Sequence, residues 1–217
     1  MNYGFKTIDK INELLKSGVD KISVISRHSA RNYAPERPWL EPFMGLTEDG
    51  KVYAKDFAKR LDFDGTVSFF SSMICRCLET SFMMEKGLSN CVVNSNILEE
   101  SLFPFYVKNP KEVYDVVINH SEDEFFRRWF NNELSEDTIC NARDSANKML
   151  GFMKEKLSSK NINFMISHDW NLYLIQEYIL NLKYKEQKRV EFLDSFILYE
   201  KDDQLFIKND EDFVKEL

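Results

Sequence analysis

Apolar residues recur along the chain with a helical period in several segments, separated by short runs of a different pattern. In each segment the apolar positions are three and four residues apart, which is typical of a helix that packs one face against a core. Gly18 is a typical end for the first helix, and Thr47 and Ser72 are residue types that cap the starts of the next two. The predicted helices cover residues 6–17, Thr47 to Leu61, Ser72 to Phe82, most of 101–160, and a segment that contains Leu172 to Ile179.

Short runs rich in β-branched and aromatic residues lie between the helical segments and indicate buried strands. The first four alternate with predicted helices, and the last two are separated only by residues 201–203, which predicts a β-hairpin near the end of the chain. The runs are KISVIS (21–26), TVSFFSS (66–72), CVVNSN (91–96), INFMIS (162–167), SFILYE (195–200) and QLFIK (204–208).

Strands that alternate with helices predict an α/β fold with a doubly wound, mainly parallel central sheet and helices on both faces. The stretch at about 101–160 has no convincing strand, so we expect a helical insertion or cap on that core. Residues 32–45 contain three prolines and Gly45, which predicts an irregular loop. With no internal repeat and no linker composition, a length of 217 residues predicts a single domain over residues 1–217.

The composition excludes several classes of protein. A formal net charge of −7 argues against nucleic acid as a main partner, because proteins that bind phosphate backbones are usually basic. No window approaches the ~18 apolar residues of a membrane span, and the charged N-terminus lacks the apolar run of a signal peptide. We therefore expect a cytoplasmic protein with no membrane partner. The four cysteines do not form a disulfide framework in a chain of this length, and we expect free thiols.

Two of the three histidines directly follow predicted strands, where further charged residues accompany them. Because the carboxyl ends of parallel strands meet at one edge of a sheet, we expect these residues to converge there. The third, His120, lies in the helical insertion and is expected to be solvated. The converging residues are Arg27, His28 and Arg31 after the first strand, Arg76 in the first turn of the helix after the second, and His168 and Asp169 after the fourth.

Such a set of side chains suits phosphoryl transfer. Guanidinium groups match phosphate oxygens bidentately and stay charged at any relevant pH. A histidine, with an ordinary pKa of about 6.5, can be neutral near pH 7 and attack phosphorus, and an aspartic acid can protonate the departing alkoxide. Phosphate monoesters are among the slowest to hydrolyse without a catalyst, with enzymatic accelerations of up to ~10²¹-fold, so a covalent intermediate in an arginine cage is a reasonable route.

The motifs RHSAR (27–31), SSMICRCLET (71–80) and SHDWN (167–171), in this order and spacing, resemble those of the histidine phosphatase superfamily. The segment LTEDGKVYAKDFAKRL (46–61) is similar to the family's Leu-Thr-x-x-Gly helix. The resemblance covers roughly residues 20–86 and 162–200 and implies the phosphoglycerate mutase-like fold. The late His-Asp pair is most similar to the histidine acid phosphatase branch, of the small bacterial type.

The resemblance implies a role for each matched residue. His28 would be the nucleophile that forms phosphohistidine, and water would then hydrolyse that intermediate. Asp169 would be the general acid, and His168 would take part in catalysis as well as in phosphate binding. The chain is thus expected to hydrolyse a small phosphorylated substrate with no metal and no organic cofactor. The implied phosphate-binding residues are Arg27, Arg31, Arg76 and His168.

Ser29 departs from the family pattern, and two glutamates leave the identity of the general acid open. Ser29 stands where the family usually has Gly or Ala, and its hydroxyl could clash or bond with the phosphate. Glu99 and Glu100 follow the third strand and could supply the acid instead, as a mid-chain glutamate does in the branch typified by phosphoglycerate mutase. A charged loop at the sheet edge explains these two glutamates equally well.

Three other functions compete with phosphatase activity. One is phosphotransfer between hydroxyls of a substrate, as in phosphoglycerate mutase. Another is a catalytically silent module that binds a phosphate ligand. A third is a metal hydrolase that uses His28, His168 and Asp169, although the surrounding arginines would repel a cation.

Overall fold

The computed structural model describes residues 3–217, with the exception of the side chains of Pro38, Ser95 and Asn96. Within this range seven strands form one sheet in the order β3-β2-β4-β1-β5-β6-β7, and the α/β fold class is confirmed. The strands are β1 (Lys21–Arg27), β2 (Thr66–Ser71), β3 (Val92–Leu98), β4 (Asn161–Ser167), β5 (Ser195–Lys201), β6 (Gln204–Lys208) and β7 (Val214–Glu216).

The helices follow the predicted pattern closely, with one correction at a helix start. Thr47 caps the second helix, since its hydroxyl accepts a hydrogen bond from a backbone N–H of the first turn, and Gly18 follows the first helix with a φ of +87°. Ser72 does not cap the third, which begins three residues later. The helices are α1 (Phe5–Lys16), α2 (Glu48–Lys59), α3 (Cys75–Glu85), α4 (Pro110–Asn119), α5 (Glu122–Phe130), α6 (Ala142–Glu155) and α7 (Asp169–Leu174), which runs into a π-helical turn (Ile175–Ile179).

The sheet is parallel in its core and antiparallel at its C-terminal side. The strands β3, β2, β4 and β1 are parallel to their neighbours, whereas β5, β6 and β7 are joined antiparallel. The predicted hairpin joins β5 to β6 through Asp202 and Asp203, whose φ values of +52° and +60° suit a two-residue turn. Such a short turn can only link antiparallel strands. The three-residue β7 was not predicted, because its length gives too few positions for a pattern.

Alternate residues of the central strands point to opposite faces of the sheet, which explains why helices cover both. Val24 of β1 and Phe164 of β4 belong to a buried cluster with side chains of α1, α2 and α3. Their neighbours in sequence, Ile25 and Met165, belong to a second buried cluster with side chains of α4, α5, α6 and α7. The prediction of helices on both faces is therefore confirmed.

Residues 101–160 form helices over one face of the sheet, as predicted. The indole of Trp129 is buried there and donates a hydrogen bond to the carbonyl of Cys140, 2.8 Å away. The buried hydroxyl of Tyr106 donates to the Asn171 side chain of α7 at 2.7 Å. The first contact lies within the insertion, and the second fastens the insertion to α7, which begins directly after His168. The assignment of residues 1–217 to one domain stays a prediction.

Two expectations from composition can be compared with the structure. The four cysteines are free, as predicted. Across residues 3–217 no helix is both long enough and apolar enough to cross a bilayer.

Candidate active site

Three neighbouring parallel strands end at one edge of the sheet, and the predicted site residues follow those ends. In the sheet β4 lies between β1 and β2, with Arg27 opposite Ser167 and Ser71 opposite Ile166. Backbone hydrogen bonds continue one step beyond the strands, because the His28 N–H donates to the Ser167 carbonyl at 3.0 Å. The structure thus brings His28, Ser72 and His168 together at this edge.

His28 is buried, with 2% of its surface exposed, and its hydrogen bonds define its tautomer. Its Nδ1 lies 2.8 Å from the carbonyl oxygen of Ser29, which can only accept, so Nδ1 carries the proton. Its Nε2 accepts a hydrogen bond from the Nε–H of Arg76 at 3.0 Å. Burial, followed by the neighbouring His168 and Arg76, lowers the pKa of His28 well below its ordinary 6.5. The ring is therefore neutral near pH 7, with the Nε2 lone pair directed at a guanidinium.

His168 lies beside His28, with the ring centroids 5.7 Å apart and the planes at 68°. Its Nε2 is 2.9 Å from the hydroxyl of Ser72, and its Nδ1 is 3.4 Å from an Nη of Arg76. Burial, and after it the charge of Arg76, lowers the pKa of His168 well below 6.5. Ser72, expected to cap a helix, thus orients this histidine instead.

Each of the three arginines is held by acceptors of the protein. Besides His28, Arg76 donates to the backbone carbonyl of Glu41 at 3.1 Å, and the carboxylate of Glu41 is 3.8 Å away. Arg31 forms an ion pair with the same carboxylate. Arg27 donates to the carbonyl of Val190 at 2.7 Å and stacks on the ring of Phe192. The buried Nε of Arg27 has no hydrogen-bond partner among the described residues, so this corner of the site has an unused donor.

Of the three candidate acids, only Asp169 lies in the site. Its carboxylate forms an ion pair with Arg27 at 2.8 Å, and it lines a cleft together with His168. Glu99 instead accepts a hydrogen bond from the backbone N–H of Ser101 and caps a short 3₁₀ turn. Glu100 is exposed, and neither glutamate lines the cleft. Asp169 is the first residue of α7, whose cap position is taken by His168.

The serine that departs from the family pattern faces away from the arginines. The Ser29 hydroxyl donates to the carbonyl of Gly50 at 2.7 Å, and its N–H donates to the Thr80 hydroxyl at 3.0 Å. Ser29 is fully buried between the start of α2 and the middle of α3. Gly50 is required here, because a Cβ at this position would lie 1.9 Å from the Ala30 carbonyl oxygen. The expected clash of Ser29 with a phosphate is therefore not a feature of this geometry.

A cleft of about 500 Å³ opens towards solvent from Arg76, His168 and Asp169, and His28 and Arg27 are not among its lining residues. Sequence patterns did not reveal its outer wall, because that wall combines the loop 32–45, helix α4 and the start of α5, which have no shared motif. Glu41 and Phe192 were also missed, since each reaches the arginines from a distant segment. The cleft is lined by Arg31, Tyr33, Ala34, Pro35, Glu41, Arg76, Pro104, Tyr114, Ile118, Glu122, His168, Asp169 and Trp170.

Within the described part of the chain, no three His, Cys, Asp or Glu side chains are grouped so as to hold a metal ion. His28 and His168 each direct a ring nitrogen at Arg76, a cation that occupies the position between them. The competing metal-site hypothesis for His28, His168 and Asp169 therefore has no geometric support here.

Comparisons with known proteins identify the fold. No protein-family model matches the sequence, and no curated protein matches it. Solved structures do match. YhfR of Bacillus stearothermophilus aligns with a TM-score of 0.57 and 14% identity, over 87% of this chain and 95% of that one. Phosphoserine phosphatase of Entamoeba histolytica, in complex with phosphoserine, aligns with a TM-score of 0.53 and 15% identity, over 87% of this chain and 95% of that one. The mycobacterial glucosyl-3-phosphoglycerate phosphatase aligns with a TM-score of 0.51 and 13% identity, over 82% of this chain and 90% of that one.

These identities are low, so the likeness shows the fold. The chain has the phosphoglycerate mutase-like fold, and the fold implied by its motifs is confirmed. The likeness does not distinguish the acid-phosphatase branch from the others.

Proposed function

We propose that this protein hydrolyses phosphate monoesters through a phosphohistidine formed on Nε2 of His28. The observation that carries the proposal is the protonation state of that ring. Its proton is on Nδ1, held by the Ser29 carbonyl, which leaves the Nε2 lone pair beside Arg76. A neutral imidazole in this state is a nucleophile that needs no base to activate it.

The arginines would receive the phosphoryl group. Arg76 already donates towards both histidines, so a phosphoryl group bound there would lie within reach of His28 Nε2. The unused Nε–H of Arg27 supplies a further donor for an anionic oxygen. Guanidiniums that are already in position stabilise the charge of the transition state at little reorganisation cost.

The reaction would proceed in two balanced steps. In the first, the Nε2 lone pair bonds to phosphorus while the ester P–O bond breaks, and the departing alkoxide takes a proton from Asp169. In the second, a water oxygen bonds to phosphorus as the P–N bond breaks, and Asp169 takes up a water proton. In the ligand-free site Asp169 is a carboxylate paired with Arg27, so the proton of the first step would enter with the substrate. A phosphate monoester monoanion would compete for the guanidinium, and its proton would pass to the released carboxylate. After the second step inorganic phosphate leaves as its monoanion, taking the proton from Asp169, and His28 and Asp169 return to their starting states.

The test combines turnover with trapping of the intermediate. We expect wild-type protein to release phosphate from p-nitrophenyl phosphate and, when quenched in alkali, to carry a phosphoryl group that is stable in base and labile in acid. His28→Ala should lose both signals. The matched control is His120→Ala, because His120 is exposed outside the site and should leave both unchanged. Full turnover by His28→Ala would overturn the proposal.

The same experiment distinguishes the two rival functions. Release of the trapped phosphoryl group to an added alcohol in preference to water would indicate a mutase-like phosphotransferase. Binding of inorganic phosphate without turnover of any ester would indicate a binding module.

A further inference from the structure

The outer wall of the cleft has a chemistry of its own, distinct from that of the arginine pocket. Tyr33, Tyr114 and Ile118 line the cleft with 65%, 50% and 62% of their surfaces exposed. Tyr114 and Ile118 are four residues apart in α4 and therefore lie on one face of the helix, which they present to the cleft. Large apolar side chains left open to water at the mouth of a polar site favour an apolar ligand there.

One side of this wall is rigid. The ring of Trp170 stacks on Phe125, with centroids 4.7 Å apart, and its indole N–H donates to the Glu122 carboxylate at 2.8 Å. A ligand group placed against Trp170 would meet a surface that needs little ordering on binding, which favours affinity.

The charges around the cleft favour one kind of ligand over another. Its lining includes no lysine, and its two cations are Arg31 and Arg76. Glu41 lies against both guanidiniums, and Glu122, whose carboxylate also pairs with the exposed Arg189, lines the outer wall. A phosphoryl group bound by the arginines would leave these two carboxylates facing the rest of the substrate. A second anionic group on the substrate would therefore be repelled.

From these contacts we infer the substrate class: phosphate monoesters whose leaving alcohol is bulky and apolar or aromatic and has no second anionic group. The inference rests on the proposed function, because it assigns the leaving-group side of the same site. Ile118 and Tyr114 are the specificity-determining residues for the apolar group, and Glu41 is the one that rejects additional anionic groups.

The first test uses two substrates whose alcohols have similar acidity, so that leaving-group reactivity does not confuse the result. We expect kcat/KM for 2-phenylethyl phosphate, measured by phosphate release, to exceed that for ethyl phosphate by about tenfold or more. Ile118→Ala should reduce this preference by about threefold. The matched control is Val92→Ala, since Val92 is equally exposed but lies at the opposite edge of the sheet, and it should not alter the preference.

The second test uses phosphoethanolamine and phosphoserine, which differ by one carboxylate. We expect wild type to prefer phosphoethanolamine by about fivefold and Glu41→Gln to lose most of that preference. The ratio is the readout because a general change in phosphate affinity moves both substrates equally.

The outcomes separate the inference from the proposed function. Turnover that depends on His28 but shows no preference in either pair would overturn the inference and leave the proposed function standing. Absence of turnover for all four esters and p-nitrophenyl phosphate would instead overturn the proposed function, and the inference with it.

Discussion

The inner pocket and the outer wall of the cleft differ in how they are built. The inner pocket, formed by His28, His168 and the arginines, lies at the ends of parallel strands. The two histidines there are buried, and hydrogen bonds and ion pairs hold the arginines. The outer wall, formed by the loop 32–45, α4 and the start of α5, presents side chains that are half exposed. If the proposed function holds, the chemistry belongs to the region that is held by backbone and side-chain hydrogen bonds, and substrate selection belongs to a region where substitution costs little stability.

The largest expected effect is at the centre of the inner pocket. Arg76→Ala removes the donor that lies between His28 and His168, and we expect kcat/KM for p-nitrophenyl phosphate to fall by about 10³-fold. Arg76→Lys should recover only part of this loss, because a lysine cannot donate to both rings in a planar fork. Arg60→Ala, which removes an arginine from the protein surface, is the control and should change little. A loss below tenfold for Arg76→Ala would mean that the inner pocket is not the reacting centre.

The next effect concerns the boundary between pocket and wall, where Asp169 lies. Asp169→Asn should lower kcat about 100-fold for alkyl phosphates, whose leaving groups need a proton, and much less for p-nitrophenyl phosphate. Glu99→Gln and Glu100→Gln should have little effect on either substrate, because Glu99 caps a turn and Glu100 is exposed. The opposite pattern would move the acid to the third strand and the chain to the mutase-like branch.

A smaller effect is expected on stability, from burial of the two histidines. Each has a pKa lowered well below 6.5, so the unfolded chain binds more protons than the folded one below pH 6.5. Stability contributed by these groups is therefore complete above pH 6.5 and declines as the pH falls below it, by on the order of 1 kcal/mol per histidine between pH 7.5 and 5.5. Urea unfolding in phosphate-free buffer should show this loss.

Two variants assign that pH dependence to the inner pocket. His28→Asn should reduce the loss of unfolding free energy between pH 7.5 and 5.5 by about the contribution of one histidine. His120→Asn should leave it unchanged, because His120 is exposed. Equal pH dependence in all three proteins would show that the buried histidines do not govern it.

The smallest effect tests the residue that departs from the family pattern. Ser29→Ala removes the hydrogen bond to the Gly50 carbonyl, and we expect a loss of about 1 kcal/mol of unfolding free energy. Because the hydroxyl faces α2 and not the arginines, kcat/KM should stay within about twofold of wild type. Ser17→Ala, at an exposed hydroxyl that also donates to a carbonyl, should cost less. A large change in kcat/KM with unchanged stability would place Ser29 in the phosphate site after all.

The inner pocket could be predicted because its members follow strands that are readable from local pattern. The strand period locates the ends of β1, β2 and β4, and the rule for parallel sheets then brings His28, Arg76 and His168 to one edge. Ser72 shows the limit of local reasoning. It stands where a helix cap is expected, yet its hydroxyl pairs with His168, which is 96 positions away in the chain.

The outer wall could not be predicted for a physical reason. Glu41 lies in a short 3₁₀ helix (Pro38–Phe43) inside the stretch predicted to be an irregular loop, and it pairs there with Arg31. Phe192 reaches Arg27 from the segment before β5. Such contacts depend on how the loop and helices pack, and no hydrophobic pattern encodes that placement.

By itself, the sequence determined the alternation of strands and helices, the edge at which the candidate site residues gather and the kind of chemistry that such side chains can perform. These depend on periodicity, on residue type and on the geometry shared by all parallel sheets. Only the tertiary structure decided the hydrogen bond from Arg76 to His28, the position of Asp169 rather than Glu99 or Glu100 in the site, and the apolar, acidic wall of the cleft. Each of these joins segments that lie far apart in the chain, such as Arg76 and His28, which are 48 positions apart, so only packing determines them.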